Sequence, residues 1–301
     1  MDKYISLDIG GTYIKKGIVN ESGEILKHHK EKTPKTLEEL FLLIEQYILQ
    51  NSDTLALTVS CPGAVTDEGL IQGASAVSYL HGPNIKQMLK ARIGLPVYME
   101  NDANCAAYAE IWKGAAKGRK DVLVVVIGTG IGGAVVKDGL IHRGANLHGG
   151  EFGYMLIPTK TSENGATWSQ IASTKALVKK VAQQKQLDAS DLTGEAIFDM
   201  ADMGDIICIE ALEAFYHSLA LGIYNLQYIY DPEIILIGGG ISERNDLVDR
   251  IDGKLTHIIE LIEDSTVKPM INTCAFRQHA NLLGSVYGFL REKELDILDI
   301  N

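Results

Sequence analysis

What the chain has little of narrows it first. Its 301 residues include four cysteines, seven prolines and two tryptophans. Cys61, Cys105, Cys208 and Cys274 lie far apart among apolar or small residues. That spacing suits neither a metal-ligand set nor a disulfide framework, so reduced thiols are expected. Positive charge is not in excess: 28 basic against 39 acidic residues give a net charge of −11. No basic field gathers phosphates, which argues against nucleic acid or an anionic membrane as partner. No apolar run reads as long enough to span a bilayer, and the first strand begins at about Lys3 with no leader before it. A soluble cytoplasmic protein is the expectation. No low-complexity linker interrupts the chain, and hydrophobic (46%) and charged (22%) fractions are those of an ordinary globular protein. The length bounds one large or two medium domains.

Glycine, by contrast, is abundant, and its placement organises the reading. Val122 to Ile127 is a nearly unbroken β-branched run, the pattern of a buried strand. It empties into Gly128-Thr129-Gly130-Ile131-Gly132-Gly133, after which Ala134-Val135-Val136 resumes the apolar pattern. The glycines therefore join two strands, as in a hairpin. Tyr4 to Ile9, Gly10-Gly11-Thr12 and Tyr13 to Val19 repeat the device at the N-terminus. Two such units about 120 residues apart suggest two related α/β halves, each offering a loop whose backbone N–H groups can approach an anion. A hinge is expected near Gly114–Lys120.

Gly128-x-Gly130-x-x-Gly133 formally matches a dinucleotide fingerprint, but that motif must open a helix, and here a strand follows. An NAD site is rejected on that ground. The glycine turns at residues 10–11, 128–133 and 238–240 instead suit the phosphates and nucleoside of a nucleotide. Asp8, just before the first turn, suits a Mg²⁺ contact through water, and Thr12 and Thr129 offer hydroxyls to phosphate oxygens. Asp102 follows the strand Pro96 to Met99, at a strand end beside the loops, and fits a general base for an attacking hydroxyl. Asn101 or Asp102 is also placed to cap the helix from Ala103 to about Ala116. Elsewhere Thr36 with Glu39 reads as a capping box opening a helix. Residues 159–170 read as polar and irregular, and a helix is expected from about Ile171 to Gln184. Ser242 is placed to cap the helix after Gly240, and a final helix is expected from about Ala280 to Leu290.

Leu7-Asp8-Ile9-Gly10-Gly11-Thr12, Glu100-Asn101-Asp102-Ala103-Asn104, Ile127 to Gly133, Gly149-Gly150-Glu151-Phe152-Gly153 and Ile237-Gly238-Gly239-Gly240-Ile241 together resemble the ROK family (repressors, open reading frames, kinases) in order and spacing. The resemblance implies an actin/hexokinase-like (ribonuclease H-like) two-domain α/β fold with ATP and sugar in an interdomain cleft. The domains would be 1–117 and 118–287, with a C-terminal helix at about 288–301 packing back on the first. It implies that Asp102 takes the proton from a sugar hydroxyl, commonly O6, and that Asn101, Glu151, Asn84 and Tyr154 line the sugar. Asp8, Gly10, Gly11, Thr12, Gly128, Thr129, Gly130, Gly132, Gly238, Gly239 and Gly240 would line the ATP phosphates and nucleoside, with Mg²⁺ reached from Asp8. Family members are often homodimers.

Two departures bear on the substrate. Many ROK kinases bind a structural zinc through a histidine and three cysteines, but this chain has Tyr154 in the histidine's place and no cysteine in residues 155–170. It resembles a zinc-free branch. A second sugar-binding glutamate of the family is replaced around Ser169-Gln170. Both changes fall on the anomeric side of the sugar, which leaves room for a β-glucoside such as cellobiose, with glucose itself as the other acceptor. Trp168 reads either as a sugar-stacking ring or as a buried anchor. The alternatives are a kinase for N-acetylmannosamine or fructose, a non-catalytic sugar-sensing repressor, or a nucleotide-switched ATPase on the same general fold. The repressor branch carries a helix-turn-helix domain for which there is no room before Asp8.

Overall fold

The computed structural model describes residues 1–73, 75–159, 162–276 and 279–299. Two compact units divide the chain. Residues 1–118, 141–149 and those from 275 onward form the first, and residues 119–140 and 150–274 the second.

The first unit is built on a five-stranded sheet in the order Ile25–Lys32, Tyr13–Asn20, Lys3–Ile9, Leu57–Cys61, Val97–Asn101. The first three strands form an antiparallel meander and the last two run parallel to Lys3–Ile9. Ile5, Leu7, Leu57, Val59, Val97 and Met99 are buried, as β-branched and apolar strands covered on both faces require. One face is covered by the helix Leu37–Leu49, which starts at the expected capping box of Thr36 and Glu39. The final helix, Ala280–Asp299, packs on the sheet and against the helix Asp102–Lys113. Gly284 makes that approach possible: a methyl group there would overlap the Cys105 carbonyl. The final helix extends well past Leu290, where its apolar pattern fades, and residues 300 and 301 lie outside the described residues.

The second unit repeats the strand order: Leu140–Ile141, Ile131–Lys137, Val122–Ile127, Ile234–Gly238, Ile271–Thr273. Val122–Ile127 again pairs antiparallel with its hairpin partner and parallel with the strand on its other side. The glycine run thus joins two antiparallel strands, which is why it could not have opened a dinucleotide-binding helix. The long helix Ile206–Tyr230 runs through this core on Leu212, Phe215, Leu219, Ile223 and Leu226, and ends where Asp231 takes a left-handed conformation before Pro232. Contrary to the sequence reading, it is long and apolar enough to cross a membrane; half of its most apolar stretch is core.

Three local expectations need correction. Residues 159–170 read as irregular, but Leu156–Thr159 and Ser162–Thr167 pair as antiparallel strands around residues 160 and 161, which lie outside the described residues. The helix expected from Ile171 to Gln184 is two helices, Trp168–Ala172 and Thr174–Lys185, because the Ser173 hydroxyl caps the second by accepting from Ala176 N–H. Ser242 does not cap the next helix. It sits in a 3₁₀ turn and donates to the Gly239 carbonyl, while the helix Leu247–Glu260 has Asp246 at its N-cap.

Candidate active site

In the first unit, chemistry collects at the carboxyl ends of the parallel strands, where open α/β sheets place ligands. Asp8 is directly across from Lys15 on the antiparallel side and from Ser60 on the parallel side. The residue is only 8% exposed, and its carboxylate accepts from Lys15 Nζ (3.1 Å), Asn281 Nδ2 (2.9 Å) and Ser60 Oγ (3.4 Å). Gly10 and Gly11 turn the chain tightly after it. A methyl on Gly10 would meet the Tyr13 carbonyl at 2.8 Å, and one on Gly11 would meet Ala76 Cβ at 2.7 Å. Thr12, beyond them, is exposed.

Two strands away, Val97–Asn101 delivers Asn101 and Asp102. Asn101 is the N-cap of the helix Asp102–Lys113: its Oδ1 accepts from Ala103 N–H (2.9 Å) and Asn104 N–H (3.2 Å). Its Nδ2 donates to the Gly63 carbonyl (3.2 Å). The capping expectation and the placement of Asp102 at a strand end therefore coexist. Asp102 begins the first turn, exposed, with Oδ1 accepting from Ala103 N–H (2.9 Å). The Cys61 thiol is pushed well up by burial, and then by the charges of Asp102, Glu100 and Asp8, which converge on it. Asn84 is taken up locally: its Oδ1 caps the helix Ile85–Ile93 through Gln87 N–H, and its Nδ2 donates to the Glu68 carbonyl.

Beneath Asn101 and Asp102 lies Glu100, 1% exposed. Arg143 reaches it from the segment 141–149, and this ion pair was not legible in the sequence. Burial works against the Arg143 charge, but Glu100 outweighs it and holds the guanidinium above its usual range. Burial first, and then the Glu100 charge, pushes the neighbouring Tyr108 hydroxyl up to about 12.

In the second unit the hairpin loop Gly128–Gly130 closes on itself through Gly128 N–H to the Gly130 carbonyl (2.9 Å). Ser169 fastens its far side, accepting from Ile131 N–H (2.8 Å), and Thr174 N–H fastens the near side by donating to the Gly128 carbonyl (2.9 Å). The loop borders an open cavity of about 830 Å³, within the range of small-molecule sites. Its walls include Gly128, Thr129, Thr174, Phe198, Gly240 and Arg244. Gly240 follows the strand Ile234–Gly238 and Gly239, whose backbone is left-handed (φ 88°). Arg244 lies 4.4 Å over the Phe198 ring and is ion-paired with Asp246 (2.8 Å) and Asp202 (3.6 Å), so its guanidinium is held at the cavity wall with its charge balanced.

The reason for glycine differs along this loop. At Gly133 a methyl group would overlap the Val124 carbonyl and the Phe152 ring, and at Gly150 it would overlap the Gly133 carbonyl. Those two glycines seat the turn Phe152–Tyr154, which follows Glu151, against the hairpin. At Gly128, Gly132 and Gly240 nothing among the described residues stands within 4 Å of a methyl group, and none has a left-handed backbone. Packing and conformation both permit a side chain there, so the bare backbone faces open space. Glu151 is exposed, and Tyr154 is 73% exposed.

Trp168, which could have stacked on a sugar, is instead fully buried against Gly222 and donates Nε1–H to the Ser218 carbonyl (2.9 Å). The buried-anchor reading holds. Gln170 is exposed, with Oε1 accepting from Thr167 N–H. Among the described residues no cluster of three or more histidine, cysteine, aspartate or glutamate side chains is arranged to hold a metal ion. Phe198, Arg244, Asn281 and Arg143 escaped the sequence reading because each is brought in by tertiary packing rather than by a local motif.

Residues 4–292 match the ROK family. The chain is 35% identical over 295 residues to a β-glucoside kinase of Listeria innocua, covering 97% of this chain and 98% of that one. Its structure is similar to a ROK family protein of Streptococcus pneumoniae solved in complex with sucrose, with a TM-score of 0.91, 37% identity, and 97% and 99% of the two chains covered. It is also similar to a ROK glucokinase of Streptomyces griseus solved with glucose and AMPPNP, with a TM-score of 0.76, 28% identity, and 94% and 97% covered. The architecture is thus the actin/hexokinase-like α/β fold. By a match that spans nearly all of its length, the chain belongs to the ROK family.

Proposed function

We propose that the protein is an ATP-dependent carbohydrate kinase that transfers the γ-phosphoryl group to O6 of a glucose unit, with a β-glucoside of the cellobiose type as its acceptor. The observation that carries the nucleotide half is the cavity wall at Gly128 and Gly240, where a methyl group would meet none of the described residues and no backbone strain calls for glycine. Such a wall lets a phosphate chain lie directly on the backbone. Gly10, Gly11, Thr12, Thr129, Gly130, Gly132, Gly238 and Gly239 complete the phosphate and nucleoside surfaces in this reading.

Asp102 is the base. It stands on the first turn of a helix, where the helix dipole favours negative charge, and it takes the proton from O6 as the phosphoryl group moves. Asn101, held by Ala103, Asn104 and Gly63, keeps that corner rigid; the family resemblance assigns sugar hydroxyls to Asn101 and, separately, to Glu151. Asn84 and Tyr154 complete the sugar contacts. Among the described residues three donors reach the Asp8 carboxylate, which offers about four lone-pair sites. One site is left for a water on Mg²⁺, so the donor set fits a cation held mainly by phosphates. When bound, that ion neutralises the charge on the transferring phosphate.

The acceptor follows from the other side of the sugar site. Tyr154 is exposed and Gln170 is neutral, so neither supplies the charged or metal-fixed wall that would close on a free anomeric hydroxyl. The L. innocua relative is a β-glucoside kinase. A cytoplasmic homodimer is part of the same reading, supported by family resemblance alone. Asp102→Asn tests the chemistry. Transfer is expected to fall by roughly 10²–10⁴-fold while sugar binding, followed by calorimetry, persists; near-parent turnover removes Asp102 as the base.

A further inference from the structure

Arg143 has two attachments that the proposed roles of Asp102, Asn101 and Glu151 leave unexplained. Its guanidinium donates to Glu100 Oε2 from Nε (3.0 Å) and Nη2 (2.5 Å), and to Asp67 Oδ1 from Nη1 (2.8 Å). The other Glu100 oxygen accepts from the Asn101 N–H (2.8 Å) and from Asn104 Nδ2 (3.0 Å). One carboxylate therefore grips the backbone on which Asn101 and Asp102 sit, and Arg143 balances its buried charge. Through its backbone, Arg143 does something different. Its carbonyl accepts from Gly149 N–H (2.8 Å), closing the loop directly ahead of Gly150 and Glu151. Gly149 is needed for that closure, since a methyl group there would overlap the His142 carbonyl.

We propose that Arg143 is a positioning residue for phosphoryl transfer, holding the Asn101–Asp102 corner through Glu100 with its side chain and the start of the Glu151 segment with its backbone. The proposal rests on the roles given above to Asp102, Asn101 and Glu151. A buried ion pair is by itself weak evidence for stability, so its presence at this corner calls for another reason. Alignment is that reason. Nε and Nη2 of Arg143 converge on Glu100 Oε2 while Oε1 holds the Asn101 N–H and Asn104 Nδ2, so the carboxylate is fixed in direction as well as in charge. The planar guanidinium also spans Glu100 and Asp67 at once, which a lysine would not do.

Arg143→Gln, Arg143→Lys and Asp102→Asn are compared with the parent by steady-state kinetics at about 20 °C, on protein shown to be folded by circular dichroism. Arg143→Gln is expected to lose about 100-fold in kcat and to raise the acceptor KM by about 10-fold, while the ATP KM stays within about twofold. Arg143→Lys recovers part of the kcat loss because it keeps the charge on Glu100 and loses only the fork. A merely structural arginine would lower Tm and leave kcat and acceptor KM of the folded enzyme within about twofold, and that result overturns the proposal. If Arg143→Gln does not fold, Arg143→Lys alone decides: parent kinetics overturn the proposal, and a raised acceptor KM with unchanged ATP KM supports it. Asp102→Asn separates the two layers. Near-parent turnover in that variant overturns the site reading together with the proposal, whereas an inert Asp102→Asn beside a fully active Arg143→Gln overturns the positioning role only.

Discussion

Gly128 and Gly133 belong to the same glycine run, yet the structure assigns them opposite sensitivities. A methyl group on Gly128 enters open space beside the cavity, and its backbone is not left-handed. Gly128→Ala should therefore fold normally and gain about 0.4–1 kcal/mol from the stiffer unfolded chain, a Tm unchanged or higher by about 1–3 °C. Its cost falls on the ligand. If the methyl keeps a phosphate oxygen from the backbone, the loss is that of a charge-assisted hydrogen bond, about 1.5–3 kcal/mol, or about 10- to 100-fold in kcat/KM for ATP. At Gly133 the methyl meets the Val124 carbonyl and the Phe152 ring. Overpacking of that kind costs about 1–3 kcal/mol, roughly 2–10 °C in Tm, and displaces the Glu151–Tyr154 turn, so the acceptor KM should rise as well. Scanning calorimetry and initial rates with varied ATP and varied acceptor measure all of these. A Gly128→Ala enzyme with parent ATP kinetics would refute the claim that this wall is bare in order to take phosphate.

Two further predictions come from elsewhere in the molecule. Trp168→Ala should destabilise the second unit by about 3–5 kcal/mol, because the ring is fully buried against Gly222 and its N–H partner would be lost; a surface sugar platform would instead leave Tm unchanged and raise acceptor KM. His279 is held below its usual value of 6.5, first by burial, then by His28, whose ring centroid lies 4.7 Å away, and by Lys15. A depressed folded pKa means that the unfolded chain takes the proton more readily, so this contribution is complete above about pH 6.5 and is lost as pH falls toward the folded value. Tm should drop more steeply between pH 7.5 and 5.5 in the parent than in His279→Gln, and NMR titration should show the His279 value rising in His28→Gln.

The features legible in the sequence are those set by neighbours in the chain. The β-branched run before Gly128, the Thr36 and Glu39 box and the capping position of Asn101 each follow from a few consecutive residues, and the structure contains all three. The break at Ser173 was missed because the apolar pattern continues across it, and only the serine's hydrogen bond to Ala176 shows the new start. Trp168 was ambiguous because burial of an aromatic ring depends on what packs against it, here Gly222, 54 residues on. The same limit hid the polar framework of the site. Asn281 reaches Asp8 from 273 residues away, and Arg143 reaches Glu100 across 43. Asn84, given a sugar contact only by the resemblance, has its amide engaged locally, at a helix start and on the Glu68 carbonyl, which no consecutive run of residues announces.

The most direct test of the account is a coupled ADP-release assay with ATP and Mg²⁺ and with glucose, cellobiose or gentiobiose as acceptor, followed by NMR of the product. The account predicts ADP release that requires sugar, one phosphate on O6 of a glucose unit for each ADP, and a higher kcat/KM for the disaccharides than for glucose. Preference for glucose would retain the kinase and discard the β-glucoside acceptor; ADP release indifferent to sugar, or a phosphate elsewhere than O6, would contradict the central claim.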